Sequence, residues 1–287
     1  MAQGIRKRKQ TFVLVVPRFE DIFHAFYAGE ILKGVGLAAS RLKIDVLLHI
    51  TDRLDHRGWL DSTLLDPSYI NGIIFADIDN DVNVVKKAIR CGIPCIVLNN
   101  VLLEPINWIA VDNKKAAVDV VEYLIKSGHT KIATIAGDLS TQAGVMRLDG
   151  YKEALARHNF KIPSSYITHG GFLRTPAQKA AEKILKLIDR PTAVFAASDV
   201  MALELAAAAR SRHIRIPDDL SVVGFDDNPI IHSSSIALTT VRQPLVEMGR
   251  LGVEHLFQVT RGKAQLPVKV LLPTELVERQ SVKKINF

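Results

Sequence analysis

Two adjacent carboxylates end an apolar run in the stretch SVVGFDDNPI, which covers residues 221–230. The β-branched and aromatic residues up to Phe225 favour a buried strand, so Asp226 and Asp227 would stand at its carboxyl end. Strand alternation would turn Asp226 toward a ligand and Asp227 the other way, into a structural role. An ionised carboxylate only accepts hydrogen bonds, so Asp226 suits a ligand that carries hydroxyl donors.

Other polar side chains follow strand-like runs in the same half of the chain. Thr141 and Arg147 come after the run KIATIAG, and Phe172 comes after the run YITHG. Ser198 and Asp199 come after TAVFAA. We expect Asp199 to be the N-cap of the next helix, which leaves Ser198 free to face a ligand.

We expect Arg147, Phe172, Ser198 and Asp226 to converge at one end of a sheet. Charged and hydroxyl groups beside an aromatic ring suit a polyhydroxylated ligand, because hydrogen bonds fix its hydroxyls while the ring covers its apolar face. The alternative for Arg147 and Asp226 is an ion pair that serves structure only.

The elements that must position these side chains come in two similar sets. Ten short runs rich in β-branched residues alternate with segments of helical spacing, and the two sets begin at residues 12 and 131. Strand and helix alternation predicts parallel sheets covered on both faces. We therefore predict an α/β fold of two similar doubly wound parallel-sheet subdomains with a ligand cleft between them, at the carboxyl ends of the strands.

The composition is that of an ordinary globular protein of 287 residues, of which 48% are hydrophobic. The net charge is +7, and the basic arm Arg6–Lys9 supplies four of these charges. A solvated tail or linker remnant is the favoured interpretation of this arm, although it could touch a polyanion. No apolar run approaches the ~20 residues that span a bilayer, and no signal peptide is recognisable, so we predict a cytoplasmic protein without membrane contact.

No motif for a metal, a cofactor or catalysis stands out. Cys91 and Cys95 have no Cys or His cluster beside them, and His129 follows a helix end where a structural role is expected. Gly34, Gly36 and Ala39 fit a dinucleotide fingerprint, but they lie ~17 residues after the nearest strand, so close packing of a helix on the sheet is the favoured reading. We predict neither cofactor nor metal, and no enzymatic activity.

Three segments together resemble the LacI/GalR family of bacterial transcription repressors. They are GHTKIATIAGDLSTQAGVMRLDGYKEAL from 128, the pattern SD-x-MA-x-E followed by IPDDLSVVGFDD, and LTTVRQPLVEMGRLGVEHL from 238. The resemblance covers nearly the whole chain from about residue 11. It implies a fold like that of periplasmic sugar-binding proteins, with three connections between subdomains near residues 128–131, 240–244 and 262–268.

The resemblance also implies particular effector contacts and boundaries. The expected contacts are Arg147, Phe172, Ser198 and Asp226, with Thr141, Tyr27 and Ala28 matching further family contacts. The expected division is a linker remnant at 1–10, an N-terminal subdomain of 11–128 plus 244–262, and a C-terminal subdomain of 129–243 plus 263–287.

The chain departs from the family pattern in two places. The helix-turn-helix headpiece of the family is not recognisable in the sequence. We interpret the chain as an excised regulatory core, and the alternative is a protein that naturally lacks such a headpiece. The segment PRFEDIFHAFY is about four residues longer than the usual spacing, so it is open which of its aromatic residues reaches the ligand. No heptad tail follows the last strand, so a homodimer is expected rather than a coiled-coil tetramer.

Our leading hypothesis is the effector-binding and dimerisation core of a bacterial transcription regulator. It would sense a small polar ligand, a sugar or sugar derivative, and control operator binding allosterically through the headpiece. One alternative is a transport-associated sugar-binding protein of the same fold, which would need an export signal. Another is a dehydrogenase, which would need to bind NAD tightly.

Overall fold

The protein has an α/β fold that divides into two units. A computed structural model describes residues 9–17, 26–51, 66–78 and 81–285. The first unit comprises Met1–Ala110 and Pro244–Leu272, and the second comprises Val111–Gln243 and Pro273–Phe287.

The expected boundaries need two corrections. The chain first leaves the first unit at Ala110–Val111, not near 128–131, because helix Asn113–Lys126 packs against helix Gln142–Arg157 of the second unit. It last leaves that unit at Leu272–Pro273, not near 262–268, because strand Lys269–Leu272 lies beside Asn107–Val111 in the first unit's sheet.

The first unit contains a six-stranded sheet in the order β11-β5-β4-β3-β1-β2. The pairings from β2 through β1, β3 and β4 to β5 are parallel. Its strands are β1 (Thr11–Pro17), β2 (Asp45–Thr51), β3 (Gly72–Phe75), β4 (Cys95–Leu98), β5 (Asn107–Val111) and β11 (Lys269–Leu272), and its helices are α1 (Phe26–Leu42), α2 (Val82–Arg90) and α7 (Leu245–Thr260).

Glycines let α1 and α7 approach each other closely. A Cβ on Gly34 would lie 1.9 Å from the carbonyl oxygen of Val246, and one on Gly249 would lie 2.3 Å from that of Ile31. Gly36 has nothing within 4 Å of its Cβ position. The predicted packing role therefore holds for Gly34, but its partner is helix α7 rather than the sheet.

The second unit contains a four-stranded parallel sheet in the order β7-β6-β8-β9 and a separate antiparallel ribbon of β10 and β12. The strands are β6 (Ile132–Ala136), β7 (Ile167–His169), β8 (Ala193–Ala196), β9 (Ser221–Val223), β10 (Thr240–Arg242) and β12 (Glu275–Val277). The helices are α3 (Asn113–Lys126), α4 (Gln142–Arg157), α5 (Arg174–Leu185) and α6 (Asp199–Ser211).

Side chains from this sheet contribute to two hydrophobic cores, one on each face of the sheet. On β8, Val194 packs with the apolar side of α5 and α6, while Phe195 packs with that of α3 and α4. On β9, Val222 and Val223 divide in the same way. This alternation confirms the doubly wound arrangement predicted for the second half of the chain.

One strand of the expected repeat joins a different sheet. The run ALTTV forms β10, which pairs with β12 instead of extending the four-stranded sheet as a further full strand. Two isolated bridges, between Val223 and Thr239 and between Asp226 and Arg242, connect this segment to β9 and to the residues that follow it. The result brings the end of β10 next to the residues that follow β9.

Candidate functional site

Arg147 is the buried centre of a polar cluster at the carboxyl end of the second unit's sheet. It lies on α4 and is 3% exposed. Its Nε donates to Asn113 Oδ1 at 2.8 Å, and its Nη1 donates to the carbonyl oxygen of Ala197 at 2.7 Å. The guanidinium carbon lies 3.6 Å from the centroid of the Phe225 ring and 5.6 Å from that of Phe172. A guanidinium held by hydrogen bonds and a ring face keeps its orientation without a ligand.

Asp226 lies beside this guanidinium. Its Oδ1 is 3.6 Å from Arg147 Nη1 and accepts a hydrogen bond from Gln243 Nε2 at 2.8 Å. The predicted reason for its direction is wrong, because β9 ends at Val223 and alternation does not extend to residue 226. Asp226 and Asp227 instead have φ values of +120° and +54°, so a turn through the left-handed region separates their side chains.

Burial changes the titration of Asp226. It raises the pKa of the carboxyl to about 6, although Arg147 and the hydrogen bond from Gln243 pull the pKa down. Desolvation is therefore a larger effect on Asp226 than the charge of Arg147. The carboxyl of Asp226 is therefore harder to ionise than that of an exposed aspartate.

Asp227 has the structural role that was predicted for it. Its carboxylate accepts hydrogen bonds from Arg279 Nη2 at 2.6 Å and Arg242 Nε at 2.8 Å. Burial raises its pKa, but these two guanidinium groups outweigh that effect and hold the pKa below the ordinary value. Arg242 also pairs with Glu275 across the ribbon. Through these two ion pairs, Asp227 connects the turn after β9 to β10 and to the segment that follows β12.

The capping role that was predicted for Asp199 is wrong. Ser198 is the N-cap of α6, and its Oγ accepts from the backbone N–H of Met201 at 3.3 Å. Asp199 is the first residue of the helix, with one carboxylate oxygen bound by Thr240 Oγ1 at 2.5 Å and the other by the backbone N–H of Asn228 at 2.7 Å. Both side chains are good caps, and the distant partners of Asp199 decide between them.

Thr141 and Phe172 flank the same sheet end. Thr141 caps α4, accepting from the backbone N–H of Gly144 at 3.1 Å and donating to the carbonyl of Asp138 at 2.8 Å, so its hydroxyl is already committed. Phe172 has a φ of +63° and follows Gly171. Its ring lies over Gly137, where a Cβ would be 2.1 Å from the ring Cζ. Glycine at 137 therefore lets the ring cover the end of β6.

Tyr27 and Ala28 belong to the first unit. The Tyr27 hydroxyl donates to the carbonyl oxygen of Ala76 at the end of β3, and Ala28 is buried. Phe19 and Phe23 lie outside the described residues, so the choice of aromatic in this segment stays a prediction.

Two amide side chains were missed by the sequence analysis. Gln243, in the second unit, donates to Asp226, while its own Oε1 is buried without a partner among the described residues. Asn99 follows β4 in the first unit and has a φ of +64°. Its Oδ1 is likewise buried without a partner among the described residues. A polar residue directly after a strand was the available signal in both cases.

The structure also bears on His129, on metal binding and on membrane-spanning helices. His129 is buried, with Nε2 donating to the carbonyl of Lys283 at 3.1 Å and Nδ1 2.9 Å from Thr192 Oγ1, so its role is structural. Within the described ranges, no cluster of His, Cys, Asp and Glu could hold a metal ion. No helix in those ranges is long and apolar enough to cross a bilayer.

The comparisons with known proteins agree with this geometry. The family described as a periplasmic binding protein-like domain matches residues 121–282. The chain is 32% identical over 286 residues to the HTH-type transcriptional regulator DegA of Bacillus subtilis, covering 98% of this chain and 83% of DegA. It is 31% identical to the HTH-type transcriptional regulator CelR of Thermobifida fusca, covering 96% and 82% of the two chains.

A structure that was solved with a bound ligand also matches the chain. The CelR–cellobiose complex matches with a TM-score of 0.86 at 29% identity, covering 95% of this chain and 85% of that one. Relatives that match over nearly the whole chain are named as regulators, which favours the regulator hypothesis over the transport protein and the dehydrogenase. The chain therefore belongs to the LacI/GalR family of transcription regulators, and it forms the periplasmic-binding-protein-like, effector-binding core of such a regulator.

Proposed function

We propose that the effector is a sugar or sugar derivative, and that the cluster around Arg147 and Asp226 binds its hydroxyl groups. The observation that carries the proposal is that two hydrogen-bond acceptors, Gln243 Oε1 and the Asp226 carboxylate, belong to side chains that are hydrogen-bonded to each other. Gln243 gives its amide N–H to Asp226, which leaves the buried Gln243 Oε1 without a donor beside a carboxylate that also needs donors. The hydroxyls of a sugar are donors of the kind that both groups lack, and a buried acceptor left unmatched is costly.

The rest of the cluster fits the same ligand class. Arg147 keeps a positive charge beside these acceptors, and charged hydrogen-bonding groups give direction to hydroxyl recognition. The ring of Phe172 offers an apolar face of the kind that covers the C–H side of a sugar ring. CelR, a relative of this chain, has been solved with cellobiose, which supports a sugar as the ligand class.

We infer that the chain has no catalytic function of its own. The polar groups at this site hold one another in place, and the relatives are regulators. Effector binding would instead change the affinity of the regulator for operator DNA, by favouring one of two conformations. In this hypothesis the operator is read by a helix-turn-helix headpiece and not by the residues described above.

A second copy of the chain is the expected protein partner. Helix α1 exposes Leu32 and Leu37, which is 57% exposed, and the edge strand β2 exposes Leu47, Leu48 and Ile50 in the same unit. Exposed apolar side chains and a strand at the edge of a sheet favour association. We infer that two copies pair through this surface of the first unit.

The effector proposal is tested by a thermal-shift screen. The panel contains neutral mono- and disaccharides with cellobiose among them, uronic acids, sugar phosphates and nucleosides. A true effector at 100 times its Kd should add about 2.7 kcal/mol of apparent stability. The variant Arg147→Met should lose this response, while Arg157→Met, on the exposed side of the same helix, should keep it. A nucleoside as the only stabilising compound would contradict the sugar proposal.

A further inference from the structure

Asp199 is a buried carboxylate that effector binding, as proposed above, does not use. It is 0% exposed, and its two oxygens accept from Thr240 Oγ1 and the backbone N–H of Asn228. Its own N–H donates to the carbonyl of Phe225 at 2.7 Å. In the part of the chain that the structure describes, no basic side chain forms an ion pair with it. A charge buried without a cation is costly unless the group takes up a proton.

The contacts of Asp199 hold together the segments that carry the site. Phe225 and Asn228 bracket Asp226, and Thr240 lies three residues before Gln243. A Cβ on Gly224 would lie 2.2 Å from Asp199 Oδ1, so glycine at that position lets the carboxylate reach the turn. Asp199 is thus a positioning residue, because it fixes the backbone on both sides of Asp226.

The charges around the two carboxyls do not balance. Arg242 and Arg279 both pair with Asp227, which is the second carboxylate of the turn after β9. Among the described residues, Arg147 from α4 is the one cation paired with Asp226, and the neutral amides of Asn113 and Gln243 contact Arg147 and Asp226 respectively. Asp226 thus has one guanidinium beside it and Asp199 pairs with none, which leaves an excess of one negative charge.

The titration directions agree with this imbalance. Burial and the nearby charge of Asp226 raise the pKa of Asp199 well above its ordinary value. Burial also raises the pKa of Asp226 to about 6. Two carboxyl groups in one low-dielectric site cannot both ionise with the ordinary pKa of aspartate.

We propose that Asp199 and Asp226 act as one proton-binding pair that holds a single proton in mildly acidic solution, and that Asp199 thereby sets the acceptor strength of Asp226. The proton exchanges with the buffer, and no other reactant is needed. The consequence for effector binding rests on the function proposed above, but the pair exists without any sugar.

The sign of the effect on stability follows from linkage. A carboxyl whose folded-state pKa exceeds its unfolded value stabilises the fold below the unfolded value, and this contribution is lost as pH rises through the folded value. Replacing either carboxyl by an amide removes that loss. The folding constant of Asp199→Asn or Asp226→Asn, relative to the original chain, should therefore rise by roughly 10- to 100-fold between pH 4.5 and 7.5.

Urea unfolding of the chain across this pH range, without sugar, tests the proposal. The double variant Asp199→Asn/Asp226→Asn should give no further rise over either single variant, because one shared proton is lost only once. Additive rises would show two independent groups, and a flat ratio would show no proton at all; both overturn the pair. Asp219→Asn is the control, since Arg215 holds the pKa of Asp219 below its ordinary value on the surface, so its relative folding constant should not rise.

A second measurement covers the case in which a variant fails to fold. Carboxyl ¹³C resonances of aspartate in the unmodified chain should include a coupled pair that titrates at pH 6 or above. Titration of every aspartate below pH 5 would overturn the proposal. Because neither measurement contains a sugar, their failure leaves the sugar proposal standing, and an unsuccessful sugar screen leaves the proton pair standing.

Discussion

At the scale of single residues, adjacent side chains of the same type have different duties in this protein. Asp226 keeps one hydrogen bond from a neutral amide, whereas Asp227 is held by two guanidinium groups. The difference arises from a turn in which both residues have positive φ. The sequence analysis separated the two side chains by strand alternation, whereas the backbone separates them by this turn.

The first prediction separates the two carboxylates. Asp226→Asn should weaken effector binding by about 1.5–3 kcal/mol, the value of a charge-assisted hydrogen bond. Asp227→Asn should leave the affinity nearly unchanged and lower stability instead, because Arg242 and Arg279 would lose a shared partner. Isothermal calorimetry with the effector from the screen, together with urea unfolding, measures both. A greater loss of affinity at Asp227 would show that the wrong carboxylate is assigned to the ligand.

The second prediction concerns pH. Proton uptake by the Asp199–Asp226 pair below about pH 6 weakens the acceptor that the effector's hydroxyls require. Affinity should therefore be full near pH 7.5 and roughly two- to tenfold weaker at pH 5, where the pair holds its proton. Calorimetry at the two pH values checks this, with Asp226→Asn as the control that should show little pH dependence. Tighter binding at pH 5 would contradict the role of Asp226 as acceptor.

At the scale of elements, the sequence predicted the strands and helices whose formation depends on neighbouring residues in the chain. The apolar runs of β6, β8 and β9 and the helical spacing between them lie where expected, because a doubly wound sheet buries both faces of each strand. Long-range contacts decided the rest. The capping role of Ser198 depends on Thr240 binding Asp199, and β10 leaves the main sheet because β12 pairs with it. No local pattern encodes those partners.

The third prediction tests the contact between α1 and α7. Gly34→Ala should destabilise the chain by about 1–3 kcal/mol, since the added methyl would overlap the Val246 carbonyl and overpack the contact. Gly36→Ala, two residues away on the exposed side, should instead stabilise by up to about 1 kcal/mol, because alanine favours the helix. Urea unfolding of both variants compares them. Equal effects would show that the helices are not in close contact at Gly34.

At the scale of the whole molecule, the division of the chain follows packing rather than the repeat in the sequence. Helix α3 comes before the second set of strand-like runs, yet it packs on α4 and joins the second unit. Its Asn113 then orients Arg147. Placing the boundary at residue 128 would have assigned this hydrogen-bond partner to the other unit, so the position of the crossing bears directly on how the candidate site is built.

The last prediction concerns assembly, which also belongs to the whole molecule. Light scattering at tens of micromolar should give the mass of a homodimer, because the exposed apolar side chains of α1 and β2 favour burial against a second copy. Leu37→Lys combined with Leu47→Lys should shift the mass to that of a monomer, since a charge buried at an interface without a partner costs several kcal/mol. Ile188→Lys, at a fully exposed position of the second unit, is the matched control and should leave the dimer intact. A dimer that survives the first pair of changes but dissociates with the control would place the interface on the second unit instead.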